Sequence, residues 1–202
     1  MIRRRLALAA ALLVPMLSHA ALAQSPPTKR FRGTVSAIDG DTLTLKPFEG
    51  AAVTIKLAPN WAVGSVSPYK LADIKPNDFV GVGASGPDSH LVATQVVVFP
   101  EAMRGTGEGH YPWAAQPGNS MTNANVEGAT VASNGRELTL AYKGGTVKAF
   151  VPPELPILLI GPGDKSMVKP GAKVQVTATV GSDEGLTSNR VTVAINGAEP
   201  PA

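Results

Sequence analysis

The feature that most restricts this fold is an internal repeat. A first copy runs from Phe31 to about Phe99 and a second from Val126 to about Ile195. Gly33 matches Gly128, Gly40 matches Gly135, and Leu43-Thr44-Leu45 matches Leu138-Thr139-Leu140, all 95 positions apart. Val80, Val82 and Ala84 match Val174, Val176 and Ala178 at an offset of 94, and Leu91, Val96 and Val98 return to 95 with Leu186, Val191 and Val193. One small deletion in the second copy accounts for the drift. The period is too long and the copies too few for a solenoid, so the chain reads as a duplicated domain.

Within each copy apolar residues alternate, as a half-buried strand requires. Leu43 and Leu45 share one face, then Val53, Ile55 and Leu57; in the second copy Leu138 and Leu140 are followed by Val147 and Ala149. Asp39-Gly40, Glu49-Gly50, Asn134-Gly135 and Gly144-Gly145 punctuate these stretches. Glycine and asparagine supply the positive φ that tight hairpins need. Lys75-Pro76 and Lys169-Pro170 each introduce a further hairpin. About five strands in roughly 70 residues suit a small closed barrel, and closure removes the exposed sheet edges. The expected fold is therefore all-β: two tandem five-stranded OB-like barrels. Pro68, Pro156 and Pro162 predict an irregular or extended crossover between the third and fourth strands rather than a helix.

The chain is 202 residues long and has no cysteine. That excludes a disulfide scaffold, a thiol nucleophile and a cysteine-anchored lipoprotein. Residues 1–23 read as a leader: Arg3, Arg4 and Arg5, then an apolar stretch from Leu6 to Leu17, then Ala21-Leu22-Ala23 before a mature start at Gln24. The paired arginines leave a twin-arginine route open beside the general secretory one. The apolar stretch is shorter than the ~20 residues that span a bilayer. Cleavage removes three arginines and no acid, which leaves 15 Lys+Arg against 15 Asp+Glu. The expectation is a soluble periplasmic protein that does not span the membrane once the signal is cleaved. The organisation that follows is a short N-terminal tail at 24–30, module 1 at 31–101, a Gly/aromatic linker at 102–124, module 2 at 125–198 and a C-terminal tail at 199–202.

Three segments carry a family likeness. They are Gly33 to Leu45 (G-T-V-x-x-x-D-G-D-T-L-T-L), Asp73 to Val82 (D-I-K-P-N-D-F-V-G-V) and the joining segment Phe99 to Trp113 (F-P-E-A-M-R-G-T-G-E-G-H-Y-P-W). With Lys169 to Val174, they resemble exported bacterial proteins that carry the domain of unknown function 5666. The resemblance covers nearly all of the mature chain. It implies a periplasmic OB-like barrel protein and brings no catalytic residues with it. Some relatives carry labels that suggest metal transport.

Unusual residues gather in the joining segment, where Gly105, Gly107 and Gly109 lead into His110, Tyr111, Pro112 and Trp113. It is neither a dinucleotide fingerprint nor a phosphate loop. Two readings compete. In one, Arg104, Glu108, His110 and Trp113 form a small ligand site, with Arg104 or His110 on an anion and Trp113 stacking. In the other, which the composition favours, the glycines permit a bend that lays Tyr111 and Trp113 into the groove between two barrels. His90 and His110 are the only histidines after the leader, too few for a convincing metal centre. No cofactor is expected. No nucleophile elbow or paired-carboxylate pattern appears, so an enzyme is not expected. Nor is nucleic-acid binding: residues 31–101 hold 5 Lys+Arg and 7 acids, residues 125–198 hold 7 and 6, and single-strand binding needs a basic groove with aromatic platforms. What remains is a non-catalytic module binding a small ligand or an envelope protein, with an accessory role in metal handling as the alternative and an enzyme of unknown class third.

Overall fold

Alternation in sequence becomes alternation in burial. Leu43, Leu45, Ile55, Leu57, Leu138, Leu140, Val174, Val176 and Ala178 are all fully buried, each large side chain contributing about 1.5–3 kcal/mol of apolar burial. The computed structural model describes residues 26–202 apart from residue 133. The leader at 1–23 and the mature start at residue 24 lie outside the described residues. Among the described residues the regular structure is three single 3-10 turns (Leu71–Asp73, Glu101–Met103 and Lys165–Met167) and twelve strands: β1 (Thr28–Asp39), β2 (Thr42–Pro47), β3 (Val53–Tyr69), β4 (Phe79–Ser85), β5 (Leu91–Val98), β6 (Gly109–Pro112), β7 (Ser120–Ala132), β8 (Gly135–Tyr142), β9 (Gly145–Val151), β10 (Ile157–Pro162), β11 (Lys173–Val180) and β12 (Leu186–Ala194). Gly40 and Gly50 turn at φ of 57° and 92°, as their hairpins require. Among the described residues no helix is long and apolar enough to cross a membrane.

The strands close into small barrels, but by exchange. β1, β2 and β3 form an antiparallel meander. The hairpin that completes their ring is β11–β12, from the second copy: β11 pairs antiparallel with β1 and β12 pairs parallel with β3. The result is a closed five-stranded ring of OB type. Reciprocally, β4–β5 of the first copy join β7, β8 and β9 of the second. That ring returns through a short parallel contact, Leu91 with Ala149 and Val92 with Phe150. The cores follow the rings. Val35, Leu43, Leu45, Ile55 and Leu57 pack with Val174, Val176, Val191 and Val193, while Val80, Val82, Leu91 and Val96 pack with Val126, Leu138, Leu140 and Ala149.

The barrels are therefore not the contiguous stretches 31–101 and 125–198 that the repeat suggested. Each copy gives its meander to one barrel and its hairpin to the other. Two further boundaries change. Residues 28–30, expected as a tail, belong to β1 and pair with Thr177 to Thr179. Residues 120–124, expected as linker, belong to β7 and pair with β4. Residues 28–30 are polar and exposed, while residues 120–124 carry Thr122 and Asn123 buried beside the core residue Ala124, so neither stretch shows the apolar alternation by which a strand is read from sequence.

The crossovers run between the barrels. β3 continues without a break through Pro59 and Pro68, whereas Pro152, Pro153 and Pro156 separate β9 from β10. The second half of β3 lies antiparallel to β10, with Ser67 opposite Leu159, and Ser65 Oγ donates to the Pro162 carbonyl at 2.7 Å. A small third cluster, Val66, Val97, Leu158 and Ala198, fills this junction. Arg136 on β8 donates to the carbonyls of Leu71 and Ile74, so the second copy also clamps the turn that precedes β4.

Candidate functional site

The joining segment is a bend, as its glycines suggest: Gly105, Gly107 and Gly109 have φ of 82°, 58° and 147°. Its four candidate residues do not converge. Arg104 Nε donates to Glu101 Oε1 at 2.7 Å, and its Nη2 to the Asn77 carbonyl at 2.8 Å. The ion pair holds the Glu101 carboxyl below its usual range, chiefly through the hydrogen bond from Arg104; desolvation opposes this, and the Arg104 charge adds a smaller lowering. Glu108 accepts from the Lys143 backbone N–H at 3.0 Å. Trp113 is 6% exposed, and its ring lies on the backbone of Gly83 so closely that a β-carbon there would stand 2.3 Å from Cζ3. It anchors the segment on the outer face of β4, on one barrel, and not in the groove between barrels. Tyr111 stays 39% exposed, tied to the Gly107 carbonyl and to Asn123.

His110 sits between two oxygens, with Nδ1 2.8 Å from Thr122 Oγ1 and Nε2 3.2 Å from Asp88 Oδ1. The connectivity resembles a hydroxyl–imidazole–carboxylate triad, but the exposures are reversed. Thr122 is 1% exposed, while the Asp88 side chain is 72% exposed. A nucleophile must reach substrate, and the carboxylate behind the imidazole is ordinarily the buried member. His110, stacked on Tyr142 at 6.0 Å, instead pins β6 to β7. Among the described residues no group of three or more His, Cys, Asp or Glu side chains is placed to hold a metal ion.

The open concave surface lies elsewhere. Two adjoining grooves of about 410 Å³ each run where the two barrels meet, and none of Arg104, Glu108, His110 and Trp113 lines either one. The first is lined by Arg30 and Arg32 of β1, Phe48 and Glu49 of the following turn, and Ala115 and Gln116 of the joining segment. The second lies among Tyr69, Gln95, Leu155, Pro156 and Leu158, with residues 197–202 along it. Arg32, Gln116 and Ala202 border both.

Arg30 and Arg32 are two apart on one strand, so they project to the same side. Neither takes part in an ion pair among the described residues, where the four pairs are Arg104–Glu101, His110–Asp88, Lys148–Glu137 and Lys173–Glu199. Burial, and then the charge of Arg32, lower the pKa of Arg30, yet a guanidinium stays charged at any physiological pH. Phe48 beside them is 47% exposed. Gln116 is held by Asn119 Nδ2 at 2.8 Å, in a loop closed by Trp113 N–H donating to the Asn119 carbonyl at 2.9 Å. Thus the anchored Trp113 fixes the rim of a groove that it does not enter.

Compared with known protein families, curated proteins and solved structures, the chain matches none. The groove residues carry a faint sequence signal: two arginines spaced as i and i+2 at the start of a strand. The signal is faint because residue 30 lies before the first repeat copy, and because the facing wall comes from Ala115, Gln116 and Ala202, outside both copies.

Proposed function

We propose that the protein is an exported, non-catalytic binding module of the cell envelope, and that it takes an anionic ligand in the groove where its two barrels meet. The observation that carries this reading is the pair Arg30 and Arg32, two cations side by side at a concave junction that share its lining with the single acid Glu49 and form none of the ion pairs among the described residues. Like charges this close repel, and evolution commonly keeps such pairs where a ligand neutralises them; arginine forks suit carboxylate and phosphate oxygens in particular. Phe48 offers an apolar face beside the charge, and Gln116 adds a neutral hydrogen-bonding group. The lining at the arginines is mixed polar and apolar and the adjoining groove is mainly apolar, and ligand sites combine apolar surface with a few placed polar groups. The export and periplasmic parts of the proposal rest on the leader.

Titration of inorganic phosphate and of citrate into isotopically labelled protein tests it. The Arg30 and Arg32 Nε–H resonances and the Gln116 side-chain amide should shift saturably, and Arg32→Ala should abolish the response. Shifts that never saturate, or that survive Arg32→Ala, would reject the site. A parallel titration with zinc separates the metal-handling alternative, which requires saturable shifts around His110 and Glu108 instead.

A further inference from the structure

Residues 199–202 already occupy the junction, and they do so as a bound peptide would. Ala198 and Pro200 are buried while Glu199 between them is exposed, the alternation of an extended segment lying in a groove. Every handle on it is a side chain from elsewhere in the fold. Lys173 pairs with Glu199. Arg32 Nη1 reaches the Pro200 carbonyl at 3.5 Å. The Ala202 N–H donates to Gln95 Oε1 at 2.6 Å, and Arg30 donates to the Ala202 carbonyl. Tyr69, Pro156 and Leu158 supply apolar surface alongside. The contacts come from both copies and both barrels, so the seat exists only because the strands are exchanged.

We infer that this junction is a recognition groove for an extended, proline-containing acidic polypeptide segment, and that residues 199–202 fill it as an intramolecular stand-in for that partner. This rests on the reading of the junction as the binding site and narrows its ligand to one chemical class. The features fit that class. Proline fixes φ and removes a backbone donor, so such a segment loses little entropy on docking and asks mainly that its carbonyls be met. Arg30 and Arg32 meet two carbonyls here, and an aromatic residue in a groove is the usual platform for proline rings. The acidic residue finds Lys173. With residues 199–202 displaced, the two grooves that share Arg32, Gln116 and Ala202 become one trough along the junction.

The test uses a fluorescein-labelled Gly-Ala-Glu-Pro-Pro-Ala peptide and two proteins, the full chain and one ending at residue 198, which keeps buried Ala198 in place. An attached segment acts at an effective concentration of about 1 mM, so the shortened protein should bind the peptide at least about tenfold more tightly than the full chain. Binding should shift the Gln95 side-chain amide and the Arg32 Nε–H, and a peptide with both prolines replaced by glycine should bind at least about tenfold more weakly. A folded shortened protein that still responds to phosphate at Arg30 and Arg32 but ignores the peptide overturns the inference and leaves the anion site standing. Silence toward both removes both. If the shortened chain loses its fold, Glu199→Lys in the full chain is the second route. It breaks the contact with Lys173, and the labelled peptide should bind it more tightly than the parent; no gain overturns the inference. A full chain that elutes as a dimer held by exchange of residues 199–202 also overturns it, since the occupant is then a second copy.

Discussion

The joining segment and the barrel junction lie side by side, sharing the loop from Trp113 to Asn119, and treat their polar groups in opposite ways. In the joining segment every distinctive side chain is consumed by the protein: Arg104 by Glu101 and Asn77, Glu108 by the Lys143 backbone, His110 by Thr122 and Asp88. At the junction Arg30 and Arg32 stand together outside the ion pairs of the described residues, meet backbone oxygens of residues 202 and 200, and share the groove with Glu49 and an exposed phenylalanine. Unusual residues in a sequence mark a demanding backbone path as readily as a ligand. Side chains held by partners within the fold belong to the first case, and guanidinium groups outside any ion pair at a concave surface, met only by the carbonyls of residues 200 and 202, to the second.

The largest effect that can break this comparison concerns the exchange that creates the junction. Thr28 faces Thr179 across β1 and β11, and the chain has no cysteine of its own. Thr28→Cys with Thr179→Cys should form an intramolecular disulfide on mild oxidation, because facing residues of antiparallel strands lie about 4.5–5.5 Å apart at Cα, within disulfide range. Peptide mapping of the oxidised protein reads the result; free thiols in a folded monomer would mean that each copy closes on itself.

Next comes the anchor. Trp113→Ala should cost about 3 kcal/mol and lower the melting temperature by about 6–12 °C, since a buried ring is lost from the Gly83 backbone. It should also weaken phosphate binding at Arg30 and Arg32, because the Gln116 rim loosens. A stability loss below about 1 kcal/mol would undo the structural reading of the segment.

Smaller still is the contrast between two nitrogen-bearing side chains. His110→Ala should destabilise by about 1–2 kcal/mol through two lost hydrogen bonds and leave phosphate binding intact. Arg32→Ala should change stability by less than about 0.5 kcal/mol and abolish phosphate binding. Denaturant melts beside phosphate titrations give both readings, and the comparison fails if the two variants trade places.

The smallest effect is in pH. The folded Glu101 carboxyl titrates below its usual value of 4.5 because Arg104 donates to it. Its contribution is therefore present above the unfolded carboxylate pKa and lost as pH falls through the lower folded one. Carbon-detected titration should place the Glu101 midpoint below 4.5, and Arg104→Gln should raise it. An unmoved midpoint would show that the pair is not formed in solution.

Much of this was legible from residues. Leu43, Leu45, Leu138 and Leu140 announced inward faces through spacing of two, and Gly40 announced a hairpin through its dipeptide. Trp113 was readable as a packing residue, though not the surface it packs on, because nothing near it in sequence names Gly83. Rarity singles out Arg104, Glu108, His110 and Trp113 in the sequence, but rarity does not show whether a partner waits for each. The setting of Arg30 and Arg32 is only partly local: Phe48 and Glu49 follow close by in sequence, whereas Ala115, Gln116 and Ala202 come from more than 80 positions away.

The sequence by itself determined the all-β class, the turns, the duplicated meander and hairpin, and the inward face of almost every strand. These depend on local chemistry: positive φ at glycine, alternation against an apolar interior, proline against helix. Only the tertiary structure decided which hairpin closes which meander. Duplication makes that choice invisible locally, since Val80, Val82 and Ala84 present the same apolar face as Val174, Val176 and Ala178, and either hairpin satisfies either meander's open edges. The direction taken by β3 and β10, crossing antiparallel between the barrels, sends each hairpin to the other copy, and the same crossing places Arg30, Arg32, Gln95 and Tyr69 around one junction.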